Sequence, residues 1–285
     1  IKPMMPFSLN IKGRLLTYNR PAVMGILNVT PDSFYAGSHT FNAAAIEDRA
    51  KQIISEGADI IDLGGYSSRP GADDVSVEEE IRRIRMGMQI IRKISPDIPV
   101  SVDTFRADIA SEAIEKWDAD IINDISMGQI DSEMFPTVAR LRVPYILMHM
   151  RGTPATMQQH TDYSAYGNDV SAGVIAELSE PLHKLTLAGV SDIIIDPGFG
   201  FAKDLRQNYS LLNNLPAISR AFRRPVLVGI SRKSMITRLC GIAADDALPG
   251  TVALNTAALL SGASILRVHD VAAAVQTVSV TQALI

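Results

Sequence analysis

Ser191-Asp-Ile-Ile-Ile-Asp196-Pro-Gly-Phe-Gly-Phe201 is the stretch whose reading decides the fold. Ile193 to Ile195 form a short β-branched run, Asp196 ends it, and a Pro-Gly-Phe-Gly turn follows. An apolar run of this length between turn signals reads as a buried strand. Burial on both faces is the habit of parallel sheets. Asp196 is therefore expected at the carboxyl end of a central parallel strand, where α/β proteins bind their ligands.

The same design recurs in Ala58-Asp-Ile-Ile-Asp62, Ala119-Asp-Ile-Ile-Asn123, Pro99-Val-Ser-Val-Asp103 and Ser264-Ile-Leu-Arg267. Val23 to Asn28, Tyr145 to His149, and Val226 to Gly229 with Ser231 and Lys233 beyond, complete eight candidate strands. Most neighbours are far enough apart to hold a helix between them. Eight strand-helix repeats point to an α/β (β/α)8 TIM barrel, and the 285 residues suit one; a doubly wound sheet is the alternative, because periodicity does not report closure. Phe7 to Tyr18, around Lys12-Gly13, reads as a β-hairpin covering the amino-terminal end of the barrel. The expected organisation is one domain, with a hairpin over residues 1–20 and a barrel over 21–285.

The composition is that of an ordinary globular protein, 47% hydrophobic and 20% charged. A formal net charge of −4 gives no sign of nucleic-acid or membrane affinity, so any anion site must be built locally. The single cysteine, Cys240, excludes an intrachain disulfide and reads as a packed residue of a protein in a reducing compartment. No signal-peptide pattern and no membrane-spanning apolar run are present, so a cytoplasmic location is expected. The start at Ile1 rather than Met is what a trimmed chain would show.

Between the strands, helices are expected over Asn42 to Glu56, from the Ser76-Val-Glu-Glu79 capping box to Ile94, over Thr104 to Trp117 and over Asp131 to Arg140. Arg82, Arg83, Arg85 and Arg92 should form a solvated face. Tyr163 to Ala188 should be helical with a kink or break at Pro181. Asp204 and Asp270 are expected to cap helices, and Gly250 to Ser261 to form a closely packed one. Val29 to Gly37, with Phe34 and Tyr35, and Gly64 to Gly71, with Arg69, are long loops suited to act as lids.

Asn28, Asp62, Asp103, Asn123, Asp196, Lys233, Arg267 and His269 share one face of this barrel. One strand-end carboxylate is usually only a helix cap, and His149 can be read as a satisfied core histidine. Eight converging groups need a ligand or mutual pairing, because burying unpartnered charge is costly. Carboxylates and amides suit an amino-heterocycle rich in N–H donors. Lys233, Arg267 and His269 suit an anion, and phosphates commonly bind near strands seven and eight of such barrels.

Asn28-Val-Thr-Pro-Asp-Ser-Phe34, Asp62-Leu-Gly-Gly-Tyr-Ser-Ser-Arg-Pro-Gly71, Ser101-Val-Asp-Thr104, Asn123-Asp-Ile125, Leu147-Met-His-Met-Arg-Gly152, Asp196-Pro-Gly-Phe-Gly-Phe201, Ser231-Arg-Lys233 and Arg267-Val-His-Asp270 resemble, in order, the motifs of bacterial dihydropteroate synthases. The resemblance implies condensation of 6-hydroxymethyl-7,8-dihydropterin pyrophosphate with p-aminobenzoate, with sulfonamides as p-aminobenzoate mimics and a homodimer as the usual assembly. Carried over by motif, Asp62, Asp103, Asn123, Met148, Asp196, Phe201, Gly229 and Lys233 resemble the pterin site. Asn28, Arg267 and His269 resemble the pyrophosphate site, with Asn28 helping to hold Mg2+. Ser68, Arg69, Pro70, Phe201, Ser231 and Lys233 resemble the p-aminobenzoate site, and Asp103, Lys233, Asn28 and Arg69 the catalytic set. Tyr66 stands where many members carry Glu, and Ser68 where Thr is common. A methyltetrahydrofolate-binding methyltransferase, or a pterin-binding paralogue without turnover, are the competing readings.

Overall fold

In the computed structural model, residues 6–30, 43–66 and 75–284 are described. Among them, eight strands form a parallel sheet: β3 (Ala22–Asn28), β4 (Ile60–Gly64), β5 (Val100–Asp103), β6 (Ile121–Asp124), β7 (Tyr145–Met148), β8 (Ile193–Asp196), β9 (Leu227–Val228) and β10 (Ile265–Val268). The sheet runs β8-β7-β6-β5-β4-β3-β10-β9, and a parallel bridge between Ile195 and Val226 brings β8 back to β9. The barrel is thus closed, as expected, and the doubly wound alternative falls away.

Strand residues alternate between lumen and helix layer. Ala22, Met24, Ile60, Ile121, Ile146, Ile194, Leu227 and Ile265 fill the lower lumen as one apolar layer. Their neighbours Val23, Ile61, Val100, Ile122, Leu147, Ile195, Val228 and Leu266 belong to the larger core shared with the surrounding helices. Two residues above the lumen layer, the same alternation brings Asp62, Asn123, Met148, Asp196, Gly229 and Arg267 inward. Asp124 falls on the other face. It is fully buried there and accepts from Tyr145 Oη at 2.6 Å and from the Ser126 and Gly128 amides, so it is structural.

Strands β1 (Phe7–Ile11) and β2 (Arg14–Tyr18) form the antiparallel hairpin. Phe7, Leu9 and Ile11 join the apolar layer of the lumen and close its amino-terminal end. Asp192 accepts from Asn10 N at 2.7 Å, and Lys12 pairs with Asp118 and Asp120, so polar contacts fasten the rim as well.

The helices are α1 (Ala43–Ser55), α2 (Val77–Ile94), α3 (Ala107–Lys116), α4 (Met134–Leu141), α5 (Val170–Leu187), α6 (Leu205–Asn213), α7 (Leu215–Phe222), α8 (Ser234–Cys240), α9 (Leu248–Leu260) and α10 (Val271–Gln282). No helix of the described residues is long and apolar enough to cross a membrane. Gly25 faces outward between α1 and α10; a Cβ there would lie 2.6 Å from Ile53 and 2.9 Å from Val271, so glycine lets both helices close on β3.

Several local expectations need correction. Helix α5 runs unbroken through Pro181, which lies well inside it; the helix starts only at Val170, because Gly167 and Asn168 take positive φ and Asp169 then caps it. Of the four arginines of α2, only Arg82 and Arg85 are exposed. Arg83 is buried against Glu79 and the Gly65 carbonyl, and Arg92 reaches across to Asp118 and Asp120. Asp270 stands at the N-cap of α10 as expected, but its side chain makes no capping bond, because its carboxylate is held by Arg232 at 2.6 Å. Helix α3 starts at Ala107, since Thr104 is drawn away to Glu80 at 2.7 Å. Cys240 is exposed at the end of α8 rather than packed.

Leu9 is 1% exposed and sits at the centre of the hairpin's apolar face. Leu9→Ala should cost about 3 kcal/mol, in the range for leucine truncation in a core. Urea denaturation monitored by circular dichroism measures this; a loss below about 1 kcal/mol would show that the hairpin does not seal the barrel.

Candidate active site

The carboxyl ends of the barrel strands gather the polar groups into one mouth. Arg267, rising from β10, lies between two carboxylates: its Nε is 2.6 Å from Asp62 Oδ2 and its Nη2 is 2.8 Å from Asp103 Oδ2. Asn123 donates to the same Asp62 oxygen at 3.2 Å. Arg267 is therefore turned down among residues expected to contact the heterocycle, where it pairs their charges. Burial works against its own charge, but Asp62 and Asp103 outweigh this and hold the guanidinium protonated. Burial pushes the Asp103 carboxyl up to about 7, with Arg267 opposing the rise and Asp62 adding to it.

The opposite wall is built on the turn after β8. Asp196 is almost fully buried and accepts from Gly198 N at 2.8 Å. Burial raises its pKa, with Lys233 opposing. Lys233 Nζ donates to Phe199 O at 2.5 Å and lies 4.8 Å from the centre of the Phe201 ring. Burial lowers its pKa to about 8, against the pull of Asp196. Gly200 has φ +84°, and a Cβ there would meet Lys233 Cδ at 3.2 Å, so this turn runs close against the lysine stem.

Beside these, Ser231 Oγ is 3.0 Å from His269 Nδ1 and accepts the His269 amide at 3.2 Å. Arg49 from α1 donates to the His269 carbonyl. Asn28, at the end of β3, stands over Gly64; a Cβ on Gly64 would lie 3.0 Å from Asn28 Oδ1 and 3.7 Å from Asp103 Cβ. Met148 and Phe201 join Phe105, Ile125, Met150 and Met157 in an apolar cluster at the mouth, with Tyr66 packed against it. Polarizable sulfur and ring faces of this kind suit a flat heterocycle.

The structure thus brings together Asn28, Asp62, Asp103, Asn123, Met148, Asp196, Phe201, Gly229, Ser231, Lys233, Arg267 and His269. Ser68, Arg69 and Pro70, and the lid residues Phe34 and Tyr35, lie outside the described residues. Tyr66, without an assigned role in the sequence, packs edge-on against Phe105 at 5.1 Å, and the Arg106 guanidinium lies 5.8 Å from its ring. Sequence reasoning did not find Lys203, Glu177 or Arg151. His149 Nε2 is 2.9 Å from Glu177, and its Nδ1 is 3.0 Å from Lys203 Nζ. A buried Lys seldom stands without partners, but the contacts that tie Lys203 to Glu177 meet at His149 from separate elements and leave no local pattern.

Arg267→Met would leave Asp62 and Asp103 facing each other without a cation. Removing one partner of a buried ionic group typically costs about 3 kcal/mol or more. The Asp103 pKa, already above its ordinary 3.8, would rise further. A carboxyl raised in the folded state contributes stability at low pH and loses it as pH rises through the folded value. The deficit relative to wild type should therefore be larger at pH 8 than at pH 6, as urea titrations at the two pH values would measure. A pH-independent deficit would refute the pairing.

Residues 24–269 match the model of the pterin binding enzyme family. The chain is 40% identical over 277 residues to the dihydropteroate synthase of Escherichia coli K12, covering 95% of this chain and 94% of that protein. It is 41% identical over 286 residues to the folic acid synthesis protein fol1 of Pneumocystis carinii, covering 95% of this chain but 37% of the relative. It likewise spans 51% of the folate synthesis bifunctional protein of Pisum sativum. The fold matches Yersinia pestis dihydropteroate synthase in a sulfonamide complex with a TM-score of 0.89 and 36% identity, over 98% of this chain and 99% of that one. Xanthomonas albilineans dihydropteroate synthase in complex with 7,8-dihydropteroate gives 0.85 and 37%, over 98% of both. With a family match over residues 24–269 and near-complete coverage of the Escherichia coli enzyme, the chain belongs to the dihydropteroate synthase family of pterin-binding enzymes.

Proposed function

We propose that this chain condenses 6-hydroxymethyl-7,8-dihydropterin pyrophosphate with p-aminobenzoate, giving 7,8-dihydropteroate and pyrophosphate for folate synthesis. The observation that carries this reading is the gathering in one barrel mouth of acceptors (Asp62, Asp103, Asn123, Asp196), cations (Lys233 and Arg267, the latter paired to Asp62 and Asp103) and an apolar Met and Phe cluster. The acceptors suit the amino and ring N–H groups of a pterin, and the cations and His269 a pyrophosphate.

Binding pyrophosphate near Arg267 gives that guanidinium an alternative partner. Asp103 is then free to face the reacting carbon. The C–O bond to pyrophosphate breaks with its electron pair on the leaving oxygen, and the positive charge left on the methylene is shared with the dihydropterin ring. Asp103, when ionised, stabilises that charge electrostatically. The neutral arylamine nitrogen then forms the C–N bond and releases a proton. No strong base is required, so positioning and fixed charges supply most of the rate. Phe201 and Lys233 hold the arylamine, together with Ser231 and, by motif resemblance, Ser68, Arg69 and Pro70.

The hard oxygens of Asn28 and Asp103, with room left by the missing Cβ of Gly64, fit Mg2+, which takes few protein ligands when phosphates supply the rest. Asn28 would hold it, and when bound it would supply charge neutralisation for the leaving pyrophosphate. The proposal extends to sulfonamides as competitors of p-aminobenzoate and to a cytoplasmic homodimer. The exposed apolar side chains Leu248, Val280 and Leu284 on the late helices and C-terminal end support an association surface.

Pyrophosphate release from the pterin pyrophosphate in Mg2+ tests the reading directly. Release should depend on p-aminobenzoate, be inhibited by sulfonamides, and fall at least 100-fold in Lys233→Ala, on the order of an electrostatic group acting in the transition state. Pterin binding without release would favour the methyltransferase or the silent paralogue. The pH dependence of kcat/KM should be bell-shaped. Activity falls on the acid side as Asp103 protonates near 7, and on the basic side as Lys233 loses its proton near 8. Asp103→Asn should remove the acid limb; an acid limb that persists would exclude Asp103 as its source.

A further inference from the structure

Lys203 is 2% exposed and His149 fully buried, yet neither is used in the proposed chemistry. Lys203 Nζ lies 3.0 Å from each of three acceptors: Gly198 O, Phe201 O and His149 Nδ1. Burial lowers the Lys203 pKa to about 7, with Asp196 opposing, and in the ammonium form its three protons match the three acceptors. His149 must then be neutral with its proton on Nε2, which faces Glu177 Oε2 at 2.9 Å. Burial, with Lys203 adding to it, pushes the His149 pKa down to about 4, in keeping with that tautomer. Glu177 also receives Arg151 Nη2 at 2.5 Å, and the Arg151 guanidinium stacks 3.8 Å from the Tyr163 ring. Tyr163 Oη returns to the Ala202 carbonyl at 3.3 Å. The chain of contacts therefore joins the segments after β7 and β8.

The same turn makes both contacts to Lys233. Gly198 and Phe201, whose carbonyls bind Lys203, bracket Phe199 and Gly200. Phe199 gives its carbonyl to Lys233, and Phe201 lays its ring beside it. Gly198 has φ +73°, and a Cβ there would lie 2.0 Å from the His149 carbonyl, so the turn is seated directly on β7's exit. Losing Lys203 would release the inner side of a turn whose outer side sets the position of Lys233.

We propose that Lys203, oriented by His149 and Glu177, is a positioning residue that fixes the Phe199 carbonyl and the Phe201 ring around Lys233 and so shapes the arylamine subsite. This rests on the synthase reading above. Lys203 touches no reacting atom. Its effect should fall on the second substrate more than on the pterin, because Asp62, Asp103 and Asn123 stand on other strands and Asp196 is held within β8 itself.

Lys203→Met keeps the stem and removes all three donors. We expect its KM for p-aminobenzoate to rise roughly tenfold or more, the scale of lost hydrogen bonds to a charged group. KM for the pterin pyrophosphate should stay within about twofold. Hydrogen-deuterium exchange should quicken at residues 198–202, while the strand residues of β8 keep their protection. His149→Asn retains an acceptor near the Nδ1 position and should preserve p-aminobenzoate binding, whereas His149→Leu should reproduce the loss. If Lys203→Met does not fold, this pair carries the test. Unchanged KM values and exchange in Lys203→Met, or equal behaviour of His149→Asn and His149→Leu, would overturn the proposal. A wild-type chain that releases no pyrophosphate in response to p-aminobenzoate would instead sink the synthase reading. Exchange at 198–202 would then decide the positioning claim by itself: faster in Lys203→Met supports it, unchanged refutes it.

Discussion

In a closed parallel barrel each strand residue faces either the lumen or the helices, and a slip of one residue exchanges the two. Everything at this mouth depends on that alternation. Ile194 and Asp196 share a side of β8, as do Ile121 and Asn123 on β6 and Ile265 and Arg267 on β10. The isoleucines build an apolar floor, and the polar residues two positions later stand on it. The floor excludes water from below, which is why the carboxylates above it must find partners within the mouth. Asp124, one residue out of phase with Asn123, is spent instead on holding a loop and the Tyr145 hydroxyl.

The charges at the mouth are arranged so that no member is alone. Arg267 satisfies Asp62 and Asp103, while Lys233 feels the charge of Asp196, donates to the Phe199 carbonyl and leans on the Phe201 ring. Buried pairs of this kind contribute little net stability, since desolvation offsets most of the attraction. Their value lies in readiness. Each partner can be exchanged for a ligand group of the same charge, so anions compete for Arg267 and donors for the carboxylates. Burial, opposed by the pairing, sets the direction of the shifts: it pulls Asp103 and Lys233 toward neutrality from opposite sides, leaving both near physiological pH.

Much of this was legible in the chain. Short β-branched runs ending in one polar residue encode both a strand and the direction of its last side chain, so the barrel and its mouth could be read together. What was not legible depends on contacts between distant elements. Arg92 looks solvated along α2 until Asp120 arrives from another connection. Asp270 sits where a cap belongs, but Arg232 outcompetes the helix amides for it. Pro181 breaks no helix, because a helix held by packing on both sides of one missing amide bond survives its loss. Lys203 and Glu177 are ordinary charged letters in the sequence, and only their meeting at His149 shows that a buried lysine and a half-buried glutamate share one partner. Arg267 was legible as a mouth residue but not in its pairing, since periodicity fixes which way a long side chain starts and not where its end comes to rest.

The hairpin beneath the barrel has a consequence for traffic. With Phe7, Leu9 and Ile11 stopping the lower end, the described residues make the mouth a well entered from above. A molecule lodged against the apolar floor must be admitted before anything that rests above it, and cannot leave until that cover has gone. Sequence in time is thereby imposed by depth, and a stopper far from the chemistry decides it.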